Sequence, residues 1–178
     1  HLLIYKYRKS KIQIGDFTFG LSRLLENIRL GRGVLFSQDI GKLNFVAFYN
    51  ELLFFPSVKN QIGSSFSYQP NKHFLFKLNS IYREYLLPEN NSFAFSGITN
   101  YNNESTFIKA EYATSIQNNT TGYGTFINGL YKNKRLQLTT DVLYTGKDFQ
   151  GFYTNSIFNA SSINVRLNNF FSVSTLVN

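Results

Sequence analysis

Apolar and polar residues alternate with a period of two, in runs of about ten residues separated by short polar breaks. No other feature constrains the chain as much. Period two puts successive side chains on opposite faces of a strand. In residues 135–145 one face reads Leu136, Leu138, Thr140, Val142 and Tyr144. The other reads Arg135, Gln137, Thr139, Asp141, Leu143 and Thr145. Residues 62–69 put Ile62, Ser64, Phe66 and Tyr68 opposite Gly63, Ser65, Ser67 and Gln69. Residues 106–116 put Ile108, Ala110, Tyr112 and Ile116 opposite Lys109, Glu111, Ala113 and Ser115. Residues 42–50 and 163–167 alternate likewise.

The breaks are Lys9-Ser10, Asn71-Lys72, Glu89-Asn90-Asn91, Asn102-Asn103, Asn118-Asn119, Asn133-Lys134 and Asn168-Asn169. Asparagine tolerates positive φ and bonds its own backbone, so it suits tight hairpins. Residues 52–57 (LLFFPS) form an aromatic break stopped by Pro56, and residues 147–151 form another loop. Only residues 20–31, GLSRLLENIRLG, resist a strand reading. Leu21, Leu24, Leu25 and Ile28 there have helical spacing between glycines, which suits a short helix or an inward-folded loop. Together these predict an all-β antiparallel meander of about eleven strands, near the 9–11 residues that a tilted membrane strand needs.

Such alternation fits a water-soluble sandwich or a transmembrane β-barrel, which differ in what each face carries. Here the polar faces are rich in Ser, Thr, Asn, Gly and Gln. Charged residues make up only 16% of the chain, against about 25% in ordinary soluble domains. Long strands with so few charges leave adhesive sheet edges in water, a liability that closure and lipid remove. Tyr and Phe gather near strand ends, as in the aromatic girdles of membrane barrels. A transmembrane helix is excluded, because the longest uncharged stretch, residues 112–131, is crowded with Thr, Asn and Gly. The expected fold is a transmembrane barrel or part of one. A soluble all-β binding or adhesion module is the alternative.

Several kinds of chemistry drop out. The chain has no Cys, Met or Trp, which rules out a disulfide framework, a zinc knuckle and a thiol nucleophile. Gly31-Arg32-Gly33 and Gly122-Tyr123-Gly124 lack the third glycine and the βαβ setting of a dinucleotide site. His1 and His73 have no nucleophile or carboxylate pair beside them, so neither an enzyme nor a cofactor is expected. Sequons at Asn90, Asn103, Asn118, Asn119 and Asn159 follow from 21 Asn among many Ser and Thr. The net charge of +8 comes from dispersed basic residues, which suits a lumen wall or rims facing lipid phosphates better than nucleic acid. With no initiating Met and alternating runs at both ends, residues 1–178 read as a single barrel segment, a portion of a longer chain.

Residues 14–39, IGDFTFGLSRLLENIRLGRGVLFSQD, hold the most unusual local element. Asp16 shares a face with Ile12 and Ile14 and calls for a cation, which Arg29 or Arg32 supplies across the excursion. An Asp16–Arg32 pair is expected to pin the excursion to the wall. Lys77, Lys109, Glu111, Arg135 and Asp141 fall on polar faces and are the other loop-anchoring or pore candidates.

This stretch resembles outer-membrane ushers, which carry "GD" at a strand end, a variable stretch, then "RG" and "SD". Here these read Gly15-Asp16, Arg32-Gly33 and Ser37-Gln38-Asp39, with Gln38 intruding and the family's following Met and Pro absent. Residues 144–153, YTGKDFQGFY, look like secretion-associated barrels of Bacteroidota-type Gram-negative bacteria. The resemblance covers about 26 of the 178 residues. It implies an outer-membrane translocation pore for a polypeptide or other polymer, in contact with membrane lipid and secretion subunits, with plug and periplasmic domains outside this segment. A porin-like small-solute barrel is the second expectation.

Overall fold

A computed structural model describes residues 1–55, 57–86, 90–166 and 172–177. Alternation becomes strand almost everywhere. The first six strands are β1 (Leu2–Tyr7), β2 (Ser10–Phe19), β3 (Arg29–Ile40), β4 (Leu43–Leu52), β5 (Val58–Tyr68) and β6 (Phe74–Tyr85). They are followed by β7 (Asn90–Asn102), β8 (Thr106–Gln117), β9 (Thr120–Lys132), β10 (Leu136–Thr145), β11 (Ser156–Arg166) and β12 (Ser172–Val177). All twelve lie in one sheet in chain order, each antiparallel to the next, so the fold is an all-β meander. No helix occurs among the described residues.

The twelfth strand has an identifiable source. Gly41-Lys42 forms a tight turn between β3 and β4, with Gly41 at φ 61°. Without asparagine this turn was not among those expected. The asparagine turns behave as their chemistry dictates. Asn118 and Asn119 both take positive φ, at 49° and 62°, as a two-residue hairpin requires. Asn71, Asn103 and Asn133 each use the side-chain oxygen to accept N–H bonds from the residues two and three positions on. The first hairpin turns one residue earlier than expected, at Arg8-Lys9, with Arg8 at φ 52°. Residue 89 and the Asn168-Asn169 turn lie outside the described residues.

The sheet is strongly curled. β2 and β10 are eight strand spacings apart, which is about 38 Å in a flat sheet. Yet Arg23, four residues beyond the end of β2, reaches Asp141 on β10 at 3.0 Å. Phe152, in the β10–β11 loop, donates its backbone N–H to the Leu24 carbonyl at 2.7 Å. The sheet therefore wraps round residues 20–28, which fold inward against its concave face. Among the described residues β1 and β12 remain the two edges of the sheet.

Register makes the two faces explicit. One lateral row runs Ile14, Val34, Tyr49, Ile62, Tyr82, Phe93 and Ile116 across β2 to β8, every member exposed on the convex face. The neighbouring row runs Gly33, Asn50, Gln61, Arg83, Ser92 and Gln117 on the concave face. Asn50, Gln61, Arg83 and Ser92 there are buried. The apolar core lies beneath the inward excursion. Leu21, Leu24 and Leu25 pack with Phe17, Phe19, Phe48, Ile81, Phe126, Leu143 and Phe149.

Candidate functional site

The concave interior and the segments folded into it form the candidate site. The excursion between β2 and β3 has nine residues, too few for a stable helix unless packing imposes one. It forms instead a turn closed by a Ser22–Glu26 bridge, in which the Ser22 hydroxyl accepts the Leu25 N–H at 3.0 Å. Leu21, Leu24 and Leu25 point into the core, while Ile28 is 78% exposed. The helical spacing of the leucines therefore serves an inward loop, one of the two forms expected.

Inner-wall cations hold this loop through its carbonyls. Arg83 on β6 donates to the Leu25 carbonyl at 2.5 Å, to Glu26 Oε2 at 3.1 Å and to the Gln150 carbonyl at 3.0 Å. One guanidinium thus ties both inward segments, residues 20–28 and 146–155, to the wall. Lys77 on β6 donates to the Leu21 carbonyl at 2.7 Å. Glu26 is 1% exposed and is also paired with Arg29 at 2.5 Å. Arg29 in turn lies 3.6 Å from the Phe55 ring and 4.9 Å from the Phe152 ring. Burying Glu26 is tolerable because two guanidiniums meet it; either alone would leave the carboxylate poorly compensated.

The second inward segment needs a close backbone approach. A Cβ on Gly122 would lie 2.3 Å from the Asp148 backbone, so glycine is what lets residues 146–155 reach the wall. Gln150 then donates its N–H to Ser115 on β8 at 2.8 Å, and Phe149 is fully buried.

Seven of the eight sequence-derived candidates fall into two groups. Arg29, Lys77, Lys109, Glu111 and Asp141 come together in the interior. Asp141 pairs with Arg23, whose guanidinium stacks on Phe126 at 4.4 Å, and Lys109 approaches the same ring at 5.7 Å. Glu111 is buried, facing Ser22 and Ser96 without meeting hydrogen-bond geometry with either. Asp16 and Arg32 form the expected pair, at 2.7 and 3.3 Å. They are direct register partners, however, and project from the convex face, because their neighbours Phe17 and Gly31 are buried on the other. The pair therefore ties β2 to β3, while Glu26 and Arg83 hold the excursion. The eighth candidate, Arg135, sits exposed in the β9–β10 turn at the rim.

Sequence reasoning passed over Arg83, Glu26, Arg23, Asn50 and Gln61. A carboxylate between Leu25 and Ile28 was the available signal for Glu26, since a charge in an apolar turn demands a partner. Asn50 and Gln61 face each other across β4 and β5, fully buried, with neither amide hydrogen-bonded among the described residues. Between the excursion and the wall an open cleft of about 620 Å³ is lined by Arg23, Glu26, Asn27, Lys109 and Tyr153. It has polar and charged walls of both signs and no cluster of metal-ligating side chains among the described residues. No known protein family, curated protein or solved structure matches the chain.

Proposed function

We propose that the sheet is a wall of an outer-membrane β-barrel in a Gram-negative bacterium, and that its interior is a conduit for a polypeptide or other polymer. The observation that carries this is an exposed face that is apolar and a covered face rich in buried polar residues. The exposed convex face bears Ile62, Phe66, Leu78, Phe93, Phe95, Ile108 and Ile127, while the covered concave face bears Asn50, Gln61, Ser65, Asn79, Ser96 and Ser115 beside the Phe and Leu residues that pack on the excursion. A sheet built for water turns a polar face outward, and a continuous exposed apolar face of this extent requires a cover.

Dimensions agree. Tyr123 and Tyr131 face outward near opposite ends of β9, and Phe74 and Tyr82 do so on β6. Eight residues separate each pair, about 26 Å along the strand and about 20 Å at the usual tilt, comparable to the apolar band of a membrane barrel. An even strand number brings β1 and β12 into antiparallel orientation, which suits closure on each other or insertion into a larger wall. Buried amides without protein partners suit a hydrated interior, since each costs about 1–3 kcal/mol when left dry.

Mechanism in such a conduit is steric and electrostatic. The inward segments 20–28 and 146–155 occlude the interior, and lumen charges of both signs, mostly paired, let a chain pass without tight binding. Export of a polymer, rather than passage of small solutes, rests on the usher-like Gly15-Asp16, Arg32-Gly33 and Ser37-Gln38-Asp39 stretch. Detergent-phase partition, slower gel mobility after boiling, and conductance in planar bilayers test the proposal together. Replacing residues 21–27 by a short Gly-Ser link is expected to raise single-channel conductance several-fold. Recovery of folded protein from the aqueous phase without detergent would end the membrane reading.

A further inference from the structure

The two ends of the sheet differ sharply in charge. Five tight turns, β1–β2, β3–β4, β5–β6, β7–β8 and β9–β10, share one end. Their tips carry Arg8, Lys9, Lys42, Lys72, Lys134 and Arg135, all exposed. The strand ends beside them add Lys6, Lys11, Lys132 and Arg166. Only Asp39 and Glu104 oppose them there. Ten basic against two acidic residues place the chain's whole formal charge of +8 at this end, and the remaining eight basic and eight acidic residues cancel.

None of the ten forms an ion pair among the described residues, whereas every ion pair involves groups elsewhere in the fold. Immediately inward from the tips, Tyr7, Tyr68, Tyr101 and Tyr131 lie on the convex face. Beyond them the face is apolar, with Phe66, Phe76, Ile108 and Ile127 exposed. The order from tip inward is thus cation, tyrosine, hydrocarbon, the order of phosphate, interfacial layer and acyl chains in a bilayer. At the opposite end the outward charges Asp16, Arg32, Glu51, Lys59 and Glu84 are of mixed sign, with Asp16–Arg32 and Lys59–Glu84 as ion pairs.

We propose that the tight-turn end is seated on the anionic phosphates of a phospholipid leaflet, an inference that rests on the membrane-wall reading above. The cations are spread over four of the five turns rather than gathered in one patch, with Glu104 alone in the β7–β8 turn, so they follow a membrane plane around the sheet. The turns are short, which holds the charges at headgroup depth. Short turns also face the periplasmic side in bacterial barrels, where the adjoining leaflet is phospholipid.

The full chain is offered to vesicles of phosphatidylcholine alone and to vesicles containing phosphatidylglycerol, and bound protein is separated by flotation. Each cation near an anionic surface contributes about fivefold, so a preference for the anionic vesicles of on the order of 100-fold is expected at low salt. That preference should collapse in about 0.5 M salt, a test that needs no variant. The quadruple variant Lys42→Gln, Lys72→Gln, Lys134→Gln, Arg135→Gln should lose most of it, and Lys147→Gln, in the β10–β11 loop, should lose none. Equal insertion into both vesicle types overturns the inference and leaves the membrane wall standing. Failure to insert into either sinks both. A preference shown only for lipopolysaccharide overturns the phospholipid assignment.

Discussion

Asp16–Arg32 and Glu26–Arg29–Arg83 are two ion clusters built around the same pair of strands, on opposite faces of the sheet. The first is a bidentate pair between register neighbours, open to the convex surroundings, with Arg32 64% exposed. The second joins the excursion to a strand three places further along the sheet and is closed off almost completely. Their chemistry is the same and their consequences differ. An exposed pair exchanges one set of partners for water with little change in free energy. A buried cluster has already lost its hydration, so every member is needed to compensate the others. Which face a charge falls on, rather than whether it finds a partner, decides what it holds together.

The sharpest way to break this comparison is Arg83→Met. It leaves Glu26 with Arg29 alone and strips the donor from the Leu25 and Gln150 carbonyls. A loss of about 3–5 kcal/mol is expected, read as a lower denaturant midpoint for the detergent-folded protein. A loss equal to that of Arg32→Met would make the two clusters equivalent and refute the distinction. Next in size is Leu24→Ala. Leu24 is fully buried where the excursion meets Phe149 and the wall, and truncating it should cost about 2–5 kcal/mol. If the loss is under about 1 kcal/mol, the excursion is loosely seated and its apolar face contributes little of the internal core.

Strands were legible in the sequence because period two is a local property: each run reveals its own two faces. The asparagine turns were legible for the same reason, since each cap is made within three residues. Gly41-Lys42 was not, because a lone glycine beside a charged residue has no signature within a run that alternates on both sides of it. Asp16 and Arg32 were paired correctly because a β-ladder brings nearby charges into register. Arg83 was missed because its partners lie 57 and 58 residues away, at Glu26 and Leu25, and are met only when the sheet curls. Curvature is a property of the whole sheet, and no window of the sequence displays it.

The smallest expected effect is the most discriminating. Arg32→Met removes the guanidinium from the convex face and leaves Asp16 exposed to whatever surrounds that end of β2. In detergent micelles the Asp16 carboxylate remains hydrated, so the denaturant midpoint is expected to stay within measurement error, at low salt and at high salt alike. The Glu26 cluster predicts the contrary for its own members, because salt cannot hydrate a carboxylate that is 1% exposed. A large loss in Arg32→Met would mean that the convex face at this level is dry and, on the proposed membrane-wall reading, that the apolar band extends beyond Asp16. On the proposed membrane-wall reading, an unchanged midpoint places Asp16 and Arg32 at the wet margin of the apolar band, one residue outward from Gly15 and Gly33, where the wall would leave the lipid.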